Sequence, residues 1–107
     1  MSSDTLQRLA TTIHARRSAA GEKSYTRQLL DAGPEKCAKK LGEEAIETVI
    51  AGVSQDGKAL TAEAADLLYH LLVLLEARGV AWPAVLQVLE DRMGTSGVAE
   101  KASRTGS

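Results

Sequence analysis

Four acidic residues of this chain occur as two pairs with matching spacing, Glu44 with Glu47 and Glu63 with Asp66. On an α-helix, side chains three residues apart lie on one face, with Cβ atoms about 5–6 Å apart. If the two segments form antiparallel helices joined by a short turn, both pairs face a common groove. Carboxylates this close repel one another unless a cation lies among them. Oxygen ligands without paired His or Cys favour Mg²⁺, or Mn²⁺, over zinc.

The second pair lies in the stretch "AEAADLLYHLLVLLEARG", which is apolar on almost every side. Such a pattern is typical of a central, buried helix. Glu63, Asp66 and His70 form the narrow polar stripe of this helix, and a buried carboxylate needs a compensating partner. His70 either hydrogen-bonds a carboxylate or a ligand on the stripe, or serves as a packed core histidine.

Three arrangements account for the carboxylates at this stage. They hold a divalent metal, they form a salt-bridged dimer interface with Lys36, Lys39 and Lys40, or they are open to solvent. A magnesium site built on carboxylates shares its ion with substrate phosphates. Lys36 and Lys40 lie on the carboxylate face and could bind those phosphates as point charges. The alternative for these lysines is ordinary pairing along the helix, such as Lys40 with Glu44.

Helical periodicity, interrupted by Gly and Pro, predicts the elements that position these residues. Pro34 opens one helix after Gly33, and "SQDG" separates it from the next. The predicted helices span about 5–17, 26–31, 34–53, 58–78 and 80–93, with no strand. The fold class is therefore all-α, an antiparallel bundle of four to five helices in one domain over residues 1–93. Residues 94–107 read as a disordered tail.

The bulk composition narrows the function classes. A net charge of -1 and a pI of about 6.1 provide no basic field, so we expect no nucleic-acid partner and no membrane. The single Cys37 allows no internal disulfide and reads as a small hydrophobe rather than a nucleophile. With no secretory segment, the expected location is cytoplasmic. A largely apolar helix in so short a chain favours a homodimer that completes the bundle.

The two carboxylate pairs resemble the metal-binding pattern of the all-α nucleoside-triphosphate pyrophosphatases, which include the MazG-like enzymes. Within them, "SYTRQLLDAGPEKCAKKLGEEAIETVIAG" and "EAADLLYHLLVLLEARGV" are similar to the phosphoribosyl-ATP pyrophosphatase family, over residues 24–92. The resemblance implies a dimeric, Mg²⁺-dependent enzyme of histidine biosynthesis that splits phosphoribosyl-ATP into phosphoribosyl-AMP and pyrophosphate. It also implies metal ligands at Glu44, Glu47, Glu63 and Asp66, with Glu43 a further candidate near the metal or the attacking water.

The mechanism that this implies is metal-assisted hydrolysis between the α- and β-phosphates, with Glu44 or Glu47 orienting or deprotonating the water. Two alternatives remain from sequence: a house-cleaning nucleoside-triphosphate pyrophosphatase, and a non-catalytic helical dimerisation module whose carboxylates pair with lysines. Some relatives are fused to a phosphoribosyl-AMP cyclohydrolase, and from the length of 107 residues we expect the stand-alone form.

Overall fold

Five helices make up residues 4–18 and 24–94, the part of the chain that the computed structural model describes. No strand occurs within these two ranges, so the all-α prediction is confirmed, with helix ends close to those expected. The predicted tail lies outside the described residues from position 95 onward. In chain order the helices are α1 (Thr5–Arg16), α2 (Tyr25–Ala32), α3 (Pro34–Ser54), α4 (Gly57–Ala77) and α5 (Trp82–Met93).

Short junctions on both sides of α3 fix its position between its neighbours. Gly33 takes a φ of 100°, a left-handed conformation that glycine adopts without a Cβ clash, and ends α2. Pro34 then begins α3 at once, where its missing N–H leaves no bond unmade. At the other end, Asp56 accepts a hydrogen bond from the Ala59 amide at 2.9 Å and caps α4. From the sequence, Asp56 is predicted only as part of the "SQDG" segment between the two helices.

α3 and α4 form an antiparallel hairpin with small residues at the contact. Ala51 is 1% exposed. A Cβ added to Gly52 would lie 3.7 Å from Cδ1 of Leu60 on the facing helix. Small side chains let the two backbones approach closely, which is what allows side chains from both helices to share one groove.

The buried core lies around the C-terminal half of α4, where α1, α2 and α5 also pack. Cys37 belongs to it: the thiol donates to the Leu29 carbonyl at 3.3 Å, and burial raises the pKa of Cys37. This agrees with the prediction of a packing residue rather than a nucleophile. The core residues are Ile13, Leu29, Leu30, Cys37, Leu72, Val73 and Trp82.

The N-terminal half of α4 packs mainly on α3 and leaves an apolar surface uncovered. The expectation of a helix buried on all sides was wrong here, because Leu60 and Leu68 are 37% and 39% exposed. On α3, Val49 is 64% and Val53 83% exposed. The apolar face that the sequence assigns to packing is therefore open in the single chain.

No single helix among the described residues has the length and hydropathy needed to cross a membrane. Only α4 and α5 together pass that test of length and composition, as a pair bent by 114°. Core helices pass the same test, and α4 is the helix around which this core packs.

An ion-pair cluster joins α1 to the C-terminal end of α4. Glu76 accepts from Nε of Arg17 at 2.8 Å and lies 3.0 Å from Nδ1 of His14. Arg17 also donates to the Glu76 carbonyl at 2.6 Å. Burial opposes ionisation of Glu76, but the hydrogen bonds from Arg17 and His14 outweigh it and lower the pKa of this carboxyl.

Because the pKa of Glu76 is lowered on folding, its charge stabilises the fold above the unfolded-state pKa of about 4.3. That contribution is lost as the pH falls through the lower, folded-state pKa. Glu76→Gln should therefore reduce the free energy of unfolding at pH 7 by about 1 kcal/mol. At pH 3 the difference in free energy of unfolding between wild type and Glu76→Gln should be smaller, because Glu76 is then partly protonated in wild type. Urea unfolding at both pH values measures this difference, and Glu90→Gln at an exposed position of α5 is the control. A difference in unfolding free energy that is the same at pH 7 and pH 3 contradicts the assignment.

Candidate carboxylate metal site

Three carboxylates converge in the groove between α3 and α4. Glu44 comes from α3, and Glu63 and Asp66 come from successive turns of α4. One carboxylate oxygen from each lies within 4.8 Å of the other two. Mg²⁺ bonds its oxygen ligands at about 2.1 Å in an octahedron, so adjacent ligands lie about 3.0 Å apart and opposite ligands about 4.2 Å. The three oxygens are therefore near the separation of ligands that share one ion, and would move closer together to bind it.

Glu47, the fourth predicted ligand, lies beside this group and not within it. Its side chain is exposed, and its nearby charge helps to raise the pKa of Glu44. Glu47 therefore borders the three converging carboxylates from an exposed position on α3.

The surroundings of Glu44 show the electrostatic strain of the group. Burial and then the neighbouring carboxyl of Glu47 raise the pKa of Glu44; His70 opposes the rise, and the charge of Asp66 adds to it. Its Oε2 atom is buried and has no hydrogen-bond partner among the described residues. A buried carboxylate oxygen without a partner is costly. A hard divalent cation, which takes oxygen ligands, fits this donor set.

Lys40 on α3 forms an ion pair with Glu43, which is not one of the three converging carboxylates. Nζ of Lys40 lies 3.1 Å from Oε1 of Glu43, so Lys40 pairs with Glu43 and not with Glu44. This hydrogen bond raises the pKa of Lys40 and lowers that of Glu43. Lys36 lies exposed near the start of the helix. The pairing leaves the carboxylates of Glu44, Glu63 and Asp66 without a cation from Lys40. Phosphate binding by Lys36 and Lys40 stays a prediction, as does the role of Glu43.

A histidine and a tyrosine link α2 to the helix that carries two of the carboxylates. Nδ1 of the buried His70 lies 2.8 Å from the Asp66 carbonyl oxygen, which can only accept, so Nδ1 carries the proton. Nε2 is then free to accept from the Tyr25 hydroxyl at 3.2 Å. The sequence pattern points to His70 but not to Tyr25. Helical periodicity does not reveal which distant helix packs on α4. The feature of the sequence that could have pointed to Tyr25 is the "SYT" stretch, which belongs to the segment similar to the family.

Known proteins resemble this chain along most of its length. Residues 6–93 match a family model described as phosphoribosyl-ATP pyrophosphohydrolase. A phosphoribosyl-ATP pyrophosphatase 1 of Bradyrhizobium diazoefficiens is 60% identical over 100 residues, or 94% of each chain. A phosphoribosyl-ATP pyrophosphatase of Caulobacter vibrioides is 60% identical over 101 residues, again 94% of each. One of Cereibacter sphaeroides is 57% identical over 99 residues, covering 92% of this chain and 96% of the relative.

Glu44→Gln tests whether the carboxylates repel one another and bind metal together. Removing one charge should raise the Tm of the metal-free protein by a few degrees, because the crowding is relieved. The same change should remove most of the rise in Tm that Mn²⁺ gives wild type. Thermal melts in chelator and in excess Mn²⁺ measure both effects, with Glu90→Gln at an exposed position of α5 as the control. Unchanged melts in both conditions would exclude a shared site.

Proposed function

The chain belongs to the phosphoribosyl-ATP pyrophosphohydrolase family, and we propose that it hydrolyses phosphoribosyl-ATP in the groove between α3 and α4. The products are phosphoribosyl-AMP and pyrophosphate, a step of histidine biosynthesis. Such an enzyme is a hydrolase acting on a phosphoric anhydride. One observation carries the placement of the site: Glu44, Glu63 and Asp66 converge within 4.8 Å inside the segment that matches the family.

We assign Mg²⁺, with Mn²⁺ as a substitute, to Glu44, Glu63 and Asp66, with Glu47 beside the ion. The all-oxygen donor set and the unpaired Oε2 of Glu44 support this assignment. When bound, the divalent ion neutralises the phosphate oxygens and the charge that develops on the pyrophosphate leaving group. The four carboxylates come from two helices, so they fix the cleavage site relative to the hairpin.

Other side chains near the carboxylates are assigned to the attacking water and to the substrate phosphates. Water attacks the α-phosphorus, the bond to the oxygen bridging to the β-phosphorus breaks, and the electrons leave with pyrophosphate. Glu47 is exposed and lies outside the tight group, so it is better placed than the half-buried Glu44 to orient that water and accept its proton. Lys36 and Lys40 precede the carboxylates on α3 and are assigned to the substrate phosphates. Glu43 holds Lys40 in place at 3.1 Å.

We further propose that two copies associate through the open apolar face of the hairpin. Exposure of apolar side chains on this scale, contiguous along two packed helices, is typical of an interface. Ile46 and Ile50 lie within one helical turn of Glu47 on α3, so a second copy on this face would lie near the carboxylate groove. The residues of the apolar face are Ile46, Val49, Ile50, Val53, Leu60 and Leu68, all more than a third exposed in the single chain.

Replacing either Glu47 or Asp66 by Ala should lower the turnover of phosphoribosyl-ATP at least about a hundredfold, because a base or a ligand is lost. Far-UV circular dichroism should stay helical in both variants. Pyrophosphate release in the presence of Mg²⁺ is the measurement, and Glu90→Ala on α5 is the control that should keep full activity. Near-normal turnover of the Asp66 variant would reject the carboxylate assignment.

The substrate itself is tested by a panel of nucleotides. Wild type should prefer phosphoribosyl-ATP to ATP and to the deoxynucleoside triphosphates, judged by kcat/KM for pyrophosphate release. A preference for deoxynucleoside triphosphates would place the chain among house-cleaning pyrophosphatases. No release from any nucleotide would favour a non-catalytic module.

Val53→Asp should convert the dimer to a monomer, because the added charge has to be desolvated within an apolar interface. Analytical ultracentrifugation at micromolar concentration reports the mass. The matched control is Thr12→Asp, which adds the same charge to an exposed position of α1. Wild type that sediments as a monomer at all concentrations contradicts the proposed dimer.

A further inference from the structure

The side chain of Thr48 bridges the two helices that carry the carboxylates. Its hydroxyl lies 2.8 Å from the Glu44 carbonyl on α3 and 3.2 Å from the Glu63 carbonyl on α4. The hydroxyl has one proton, which the two carbonyls share, and Thr48 itself is half-buried. Both acceptors belong to residues of the converging carboxylate group. The bond therefore joins the backbones directly behind two of the three carboxylates.

The other aliphatic hydroxyls of these helices do not have this position. Ser54 on α3 donates to the Ile50 carbonyl at 2.8 Å, and Thr61 on α4 donates to the Gly57 carbonyl at 2.7 Å. Each of these bonds stays within its own helix, four residues back, which is the common pattern for helical Ser and Thr. Thr48 makes the same backward bond and adds a contact across the hairpin.

A hydrogen bond between α3 and α4 can hold their alignment at a point where their packing alone does so weakly. The neighbouring layer consists of small residues: Ala51 is 1% exposed, and Gly52 lies against Leu60. Small side chains permit close approach but offer few ridges and grooves to resist sliding of one helix along the other. A shift of α3 by a fraction of a turn would separate Glu44 from Glu63 and Asp66. The repulsion among these carboxylates favours such a shift when no cation is bound.

We propose that Thr48 is a positioning residue for the metal site: its hydroxyl fixes the axial register of α3 against α4 so that the carboxylates of Glu44 and Glu63 meet one ion. This inference rests on the proposed function. It does not require contact between Thr48 and the substrate. Outer residues that orient metal ligands typically change metal affinity about 10–100-fold when removed.

The test compares Thr48→Val, which keeps the shape and loses the hydroxyl, with Thr48→Ser, which keeps the hydroxyl. Mn²⁺ binding to the folded protein without substrate is measured by electron paramagnetic resonance, well below the Tm. Thr48→Val should bind Mn²⁺ about tenfold more weakly, and Thr48→Ser should stay within about twofold of wild type. Thr61→Val removes a hydroxyl with only the within-helix bond and should leave the affinity unchanged.

Both carbonyls keep their helical hydrogen bonds in Thr48→Val, so the variant should fold. If it does not, Thr48→Ala and Thr48→Ser give the same comparison, since they differ by the hydroxyl alone. Equal Mn²⁺ affinity with and without the hydroxyl overturns the role of Thr48, as does an equal loss in Thr61→Val. A lower metal-free Tm with unchanged Mn²⁺ affinity would mark Thr48 as a purely structural residue. Wild type that binds no Mn²⁺ overturns the metal site and this inference with it.

Discussion

Carboxylates on facing helices repel one another, and the hairpin of α3 and α4 holds three of them within 4.8 Å. The described contacts between the two helices include buried Ala51, Gly52 against Leu60, and the Thr48 hydroxyl, and none of them needs an acidic side chain at these positions. Burial first, and then the neighbouring carboxylates, raise the pKa of Glu44, so crowding adds to the cost of ionising this group. Neutral side chains at these positions would avoid that cost, so a role in binding a cation accounts for the acids better than packing does.

α4 divides the molecule into two regions with different tasks. Its C-terminal half holds the buried Leu72 and Val73 and is tied to α1 through Glu76. Its N-terminal half carries Glu63 and Asp66, packs mainly on α3, and leaves apolar side chains open. The buried half thus anchors a hairpin whose other half leaves apolar and acidic side chains exposed. His70 lies at the boundary and bonds both the Asp66 carbonyl and Tyr25.

Local chemistry predicts much of this arrangement. Gly33 and Pro34 determine where α2 ends and α3 begins, and the spacing of three residues places each carboxylate pair on one face. What sequence does not predict depends on distances across the fold. An exception is the pairing of Lys40 with Glu43 instead of Glu44, which is decided by side-chain conformation within α3. The Tyr25–His70 bond depends on how α2 docks on α4, and the open apolar face depends on how few helices surround the N-terminal half of α4.

The most direct test of the account is a crystal structure grown with Mn²⁺ and measured for anomalous scattering. The account predicts a peak in the groove, with oxygens of Glu44, Glu63 and Asp66 about 2.2 Å away and Glu47 at its solvent side. A peak bound by other residues, or carboxylates that turn apart with no ion between them in saturating Mn²⁺, would contradict it.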